Sequence, residues 1–143
     1  MKVNPILFLP LLLLTGCDVI DNNPDACGCS GMINCTDVFV GVSFKLKDKN
    51  GSPYVLDTFN IKRVSNGEDV TTFGSYGPAN DPGAKGHYTL ATDLNLKQIK
   101  KCGEEFQFTG IKDDKTVFEQ IYTLAHDCCH VRLLKGETEY VIE

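Results

Sequence analysis

Val38-Phe39-Val40-Gly41-Val42-Ser43-Phe44-Lys45-Leu46-Lys47, followed by Asp48-Lys49-Asn50-Gly51, decides how this chain folds. Val38, Val40, Val42, Phe44 and Leu46 recur at every second position, and Ser43, Lys45 and Lys47 lie between them. Successive side chains of an extended strand point to opposite faces, so the alternation predicts a strand with one buried face. Asn50-Gly51 then closes it as a turn, because the pair tolerates the positive φ that tight turns require.

The same pattern continues outward from this stretch. Pro53 to Val64 is rich in β-branched and aromatic residues and reads as a second strand, ended by Ser65-Asn66-Gly67. Val70 to Phe73 reads as a short strand, and the glycine- and proline-rich run Gly74 to Gly86 as a loop. Further strands are expected at His87 to Ala91, Glu105 to Ile111, Thr116 to Ala125, Cys129 to Leu134 and Thr138 to Ile142. Lys135-Gly136-Glu137 separates the last two, and Leu94 to Lys101 is the one candidate helical turn. About seven short strands at hairpin spacing predict an all-β fold, an antiparallel β-sandwich of immunoglobulin-like or transthyretin-like type.

Upstream of the strands the chain changes character. Ile6 to Leu14 is apolar, preceded by Met1-Lys2 and followed by Leu14-Thr15-Gly16-Cys17. Nine helical residues span only about 13 Å, far short of a bilayer core of roughly 30 Å. The segment therefore reads as a removable export signal over residues 1–16. Leu14-Thr15-Gly16-Cys17 resembles the lipobox of bacterial lipoproteins, which implies cleavage before Cys17 and acylation of its thiol. Residues 17–36 then form the lipidated cysteine, a polar tether and a cysteine-rich segment, and residues 37–143 form the domain. The address this implies is the bacterial envelope, at the outer membrane or surface rather than the inner membrane. The expected partners are the membrane, through the lipid, and an envelope protein or glycan.

Size and charge bound the rest. The 143 residues allow one core, and 42% hydrophobic with 23% charged residues is ordinary for a globular chain. A net charge of −5 offers no basic footprint for nucleic acid. The lack of Trp slightly weakens a sugar-stacking platform, although Tyr and Phe can stack.

Six cysteines remain after Cys17: Cys27, Cys29, Cys35, Cys102, Cys128 and Cys129. An even number in an exported chain predicts disulfides, with 15 possible connectivities. Cys128 and Cys129, as neighbours in a strand, would point to opposite faces and take different partners. Cys27 and Cys29 are too close to pair comfortably. Bridges between the clusters 27/29/35 and 102/128/129 would close loops of roughly 65 to 100 residues and staple the N-terminal segment onto the sandwich, for about 4 kcal/mol each in the chain-entropy model. The competing reading is a metal site drawing on His126, Cys128, Cys129 and His130, with Cys27 and Cys29, since sulfur and imidazole suit zinc. The spacing matches no paired Cys-x2-Cys framework, and an oxidising compartment favours bridges, so no metal or cofactor is expected.

Catalytic signals are weak. There is no Gly-x-Ser-x-Gly, His-Glu-x-x-His or phosphate-binding glycine loop. His87, His126 and His130 are the only histidines, and a hydrolase using His87 or His126 has no assembled motif behind it. Asp48-x-Asn50-Gly51, Asn80-Asp81 and Asp113-Asp114 superficially suggest calcium, but lack the distant bidentate Glu and read as turns. Tyr76 is the aromatic best placed to meet a ligand.

Val42 to Lys47, Asp48-Lys49-Asn50-Gly51-Ser52-Pro53 and Gly86-His87-Tyr88-Thr89-Leu90 together resemble the opening of transthyretin-like, carboxypeptidase-regulatory-like modules. The resemblance covers residues 38–91; Asp127-Cys128-Cys129-His130 departs from it. It implies a β-sandwich and a non-catalytic accessory role. One enzymatic branch, the hydroxyisourate hydrolases, ends in Tyr-Arg-Gly-Ser, whereas this chain ends Tyr140-Val141-Ile142-Glu143. The sequence thus leads to a non-catalytic envelope lipoprotein with a binding or structural β-sandwich, the alternative being a metal- or ligand-sensing protein using Cys and His near residues 126–130.

Overall fold

In the computed structural model, residues 27–29, 33–76 and 85–143 are described. The leader, Cys17, the tether before Cys27 and the Asn80-Asp81 pair lie outside them. The described residues are nearly all β. Seven strands, β1 Gly41–Asp48, β2 Thr58–Arg63, β3 His87–Thr92, β4 Glu104–Lys112, β5 Lys115–His126, β6 Val131–Lys135 and β7 Glu139–Ile142, form two sheets. One sheet has the order β3-β1-β7 and the other β2-β4-β5-β6.

The sheets face each other across the side chains that the alternation selects. Val42, Phe44 and Leu46 of β1 point inward, and Gly41 and Lys45 face solvent. Opposite them lie Phe106 and Phe108 of β4 and Tyr122 and Leu124 of β5. Phe44 is the hub: its ring sits 4.8 Å from Phe108, edge to face, 5.2 Å from Tyr122 and 5.6 Å from Tyr88. Aromatic pairs at such distances add roughly 0.5–1.5 kcal/mol each beyond their burial.

The turn after β1 forms as expected. Gly51 takes φ +83°, and the Asp48 carboxylate accepts hydrogen bonds from the Asn50 and Ser52 N–H groups. It does not open a long hairpin, however. Only Pro53 bridges back to Lys47, and Asp57 N–H already donates to Ile111 of the other sheet. Tyr54 N–H donates to the Leu46 carbonyl and the pairing with β1 ends there, so the expected 53–64 strand shortens to Thr58–Arg63 in the second sheet. The expected Asp113-Asp114 turn is a two-residue hairpin loop with both residues at positive φ, 49° and 58°, joining β4 to β5.

Two local expectations are corrected. Val38 and Phe39 are exposed, 64% and 58%, because β1 begins only at Gly41. Val70–Phe73 is not a strand: a 3-10 segment spans Thr71–Tyr76. The Asp69 carboxylate accepts from Thr71 N–H and turns the backbone there, which buries Val70 and Phe73 three residues apart on one face. The candidate helical turn is likewise a 3-10 segment, Asp93–Gln98. The Lys135-Gly136-Glu137 stretch does separate the last two strands. It carries the chain from one sheet to the other, so that β7 runs parallel to β1, the single parallel pair in an otherwise antiparallel arrangement. Gly136 makes this crossing possible: its φ is +124°, and a Cβ there would sit 2.4 Å from the Tyr122 ring.

Candidate functional site

Chemistry-bearing side chains gather at one end of the sandwich, where β1, β4 and β6 begin and β3 and β5 finish. The N-terminal segment, residues 27–29 and 33–39, lies exposed across this end and buries almost nothing. Such a segment cannot repay the entropy of its own ordering by hydrophobic contact. Covalent bonds hold it instead.

Three disulfides do so: Cys27–Cys102, Cys29–Cys128 and Cys35–Cys129, with Cα separations of 5.2, 5.7 and 5.3 Å. These separations lie within the range that a disulfide accepts without backbone displacement. Each pairs one member of the early cluster with one of the late cluster, closing sequence spans of 75, 99 and 94 residues. Cys128 and Cys129 take different partners, but not for the reason the sequence suggests. They precede β6 rather than lie in it, and Cys128 adopts φ +79°. That left-handed turn at a non-glycine residue, rather than the alternation of a strand, points the two sulfurs apart.

The proposed metal residues split along the same turn. Cys29, His126 and Cys128 place their donor atoms within 4.8 Å of one another. Yet the two sulfurs are bonded to each other, and a disulfide sulfur is not the thiolate that binds metal. His126 Nδ1 also accepts the Cys128 N–H at 3.0 Å, which leaves the ring proton on Nε2 if the imidazole is neutral. Cys129 is joined to Cys35, and His130 faces elsewhere. The four residues do not converge on one ion. Reduction of Cys29–Cys128 would leave two thiols and an imidazole together, a three-ligand set of the type zinc accepts.

His130 completes a second constellation, whose members lie too far apart in the chain to be read as a motif. Its Nδ1 lies 2.8 Å from Asp93 Oδ2 and its Nε2 2.9 Å from Thr36 Oγ1. Asp93 also accepts the N–H groups of Val40 and Val131, at 2.8 and 2.9 Å. These residues come from three separate parts of the chain, the stretch before β1, the start of the second 3-10 segment and the turn into β6, and the Asp93 carboxylate joins them, reaching Thr36 through His130. Burial alone would raise the Asp93 pKa; hydrogen bonds from His130 and the two backbone N–H groups overcome this and hold it below the usual carboxylate value. Asp127 is lowered too, by the backbone N–H groups of His130 and Cys129. A hydroxyl, an imidazole and a carboxylate in line also resemble a nucleophile relay. Here the carboxylate also fastens the backbone at Val40 and Val131, using both oxygens.

The larger of those cavities, about 470 Å³, lies beside the staples. Its apolar floor is Leu96 and Ile99 together with the disulfides Cys27–Cys102 and Cys29–Cys128, and His126, Lys97, Lys100 and Lys101 complete its wall. Lys101 Nζ donates to the Gly28 carbonyl at 2.8 Å. A second opening, about 370 Å³, adjoins it around Lys97 and Arg63, whose guanidinium is engaged by Glu104 and Glu68. His87 opens β3 at its far end, opposite Lys45 and away from the other histidines. The Tyr76 side chain lies outside what the structure describes. Among the described residues, no helix is long and apolar enough to cross a membrane.

Comparison with family models, curated proteins and solved structures finds no match to this chain.

Proposed function

We propose that this protein is an exported, lipid-anchored component of the bacterial envelope whose β-sandwich serves as a non-catalytic binding or structural module. The observation that carries the reading is the complete pairing of six cysteines around a segment with no core of its own. Bonds of this kind persist in oxidising compartments outside the cytoplasm. The export signal over residues 1–16 and the lipobox ending at Cys17 supply the route and the anchor. Several acyl chains hold firmly, because each buried methylene contributes about 0.8 kcal/mol. The resemblance to transthyretin-like modules agrees with a non-catalytic role, and two of the stretches that carry it, in β1 and β3, are hydrogen-bonded neighbours.

Fractionation of cells expressing the full chain tests the proposal. The mature protein should be found in the envelope, starting at an acylated Cys17, and Cys17→Ser should abolish the acylation. Recovery of unprocessed chain with reduced thiols from the cytosol would contradict it. Crosslinking in native membranes should then recover an envelope protein or glycan.

The second reading, a metal- or ligand-sensing protein, rests on the proximity of Cys29, His126 and Cys128. It requires that Cys29 and Cys128 be reduced in the working protein. Thiol titration of the native protein separates the two: six blocked cysteines exclude the metal version.

A further inference from the structure

The three disulfides do more than hold a loose segment: they fix where the tether leaves the domain. Cys27 is the first described residue, and its bond to Cys102 places it in the wall of the 470 Å³ cavity. Nine residues, 18–26, separate that point from the lipidated cysteine, ten steps along the chain. Fully extended they reach at most about 36 Å, and as a flexible coil about 17–19 Å. On the lipid-anchored reading, a tether at its coil length holds the face carrying Cys27 nearest the bilayer.

That face has the chemistry of a membrane contact. Lys97, Lys100 and Lys101 border the cavity, and no acidic residue lines it, although the chain as a whole carries −5. Large apolar side chains are exposed at the same end: Val38 and Phe39 before β1 and Leu94 after β3. The opposite end, at the Asp113-Asp114 hairpin, lies about 30 Å away along the nine residues of β4. We propose that the cystine-stapled end docks on the anionic headgroup layer of the bilayer that carries the tether, with a lipid phosphate seated among Lys97, Lys100 and Lys101. The occupant follows from charge complementarity and from the position at which the tether enters. The proposal rests on the lipid-anchored reading above.

The test uses full-chain protein isolated from membranes and reconstituted into vesicles of phosphatidylcholine, with or without phosphatidylglycerol. The rate of amine labelling is read by mass spectrometry at Lys97, Lys100 and Lys101 and compared with Lys115 in the distant hairpin. Docking predicts severalfold slower labelling of the three lysines in the anionic vesicles only, reversed by high salt. The variant K97Q/K100Q/K101Q, at exposed or half-exposed positions, should reduce the docked fraction relative to the free by about a hundredfold, roughly fivefold for each charge near the surface. Equal labelling in both vesicle types would overturn the proposal. So would equal protection by soluble glycerol phosphate without vesicles, which would make the cavity a small-anion site. The intact mass of the same sample reports acylation of Cys17 separately, so failure of the anchor and failure of docking give different results.

Discussion

The middle of the sandwich and its stapled end are held by different forces. In the middle, Phe44, Leu46, Phe106, Phe108, Tyr122 and Leu124 are almost wholly removed from water, and cohesion comes from burial and ring packing. At the end, residues 27–29 and 33–39 remain exposed, and cohesion comes from three disulfides and the Asp93 carboxylate. The first kind of cohesion is indifferent to redox state and to mild acid. The second is sensitive to both. Covalent bonds order an exposed segment without requiring it to be buried.

The largest expected effect belongs to the middle. Phe44→Ala removes the ring that touches Phe108, Tyr122 and Tyr88, and should cost about 3–5 kcal/mol in denaturant unfolding, with the disulfide pairing unchanged. A loss below about 1 kcal/mol would mean that Phe44 is not the hub. Next comes the double substitution C35S/C129S. It should cost about 2–4 kcal/mol and, unlike Phe44→Ala, should make the chain before β1 the first site of proteolysis while the sandwich stays intact. If both variants unfold as one unit, the two regions are not distinct.

Acid sharpens the comparison further. The Asp93 and Asp127 pKa values are depressed in the folded protein, so the folded state binds fewer protons than the unfolded chain in acid. Their stabilisation is present above the unfolded carboxylate value of about 3.9 and is lost as pH falls through the folded values. Thermal unfolding measured from pH 5 downward should therefore show falling stability, with a shallower fall in Asp93→Asn. At neutral pH that variant should be less stable by about 1–3 kcal/mol, the range for a buried hydrogen-bonding group that loses its partner. An unchanged acid profile would remove Asp93 from the account. The smallest effect has the opposite sign. The Tyr122 hydroxyl is buried with no partner in hydrogen-bonding geometry among the described residues, and burial, followed by the neighbouring Tyr140 hydroxyl, pushes its pKa far up. Tyr122→Phe should raise stability by up to about 1 kcal/mol, measured by denaturant midpoint.

How much of this could be read in advance differs between the same two regions. The alternation through Val42, Phe44 and Leu46 was legible because a half-buried strand imposes period two on its own sequence. The division of cysteines into an early and a late group was legible too, since neighbours cannot bridge. Their exact partners were not, because Cys128 takes a left-handed turn that no local propensity announces. Val70 and Phe73 carry a spacing of three, which in hindsight is the signature of the 3-10 segment. The Thr36–His130–Asp93 row was invisible for a simpler reason. Its members are 57 and 37 residues apart in the chain, and only the folding of β1, β3 and β6 brings them within hydrogen-bond reach.

The central claim is that covalent staples, formed outside the cytoplasm, fasten a coreless segment onto a self-sufficient β-sandwich. Non-reducing peptide mapping of the protein taken from cell envelopes tests it most directly. The account predicts the crosslinked pairs Cys27–Cys102, Cys29–Cys128 and Cys35–Cys129, with no free thiol among the six. Recovery of these cysteines as free thiols, or joined in other pairs, would contradict it.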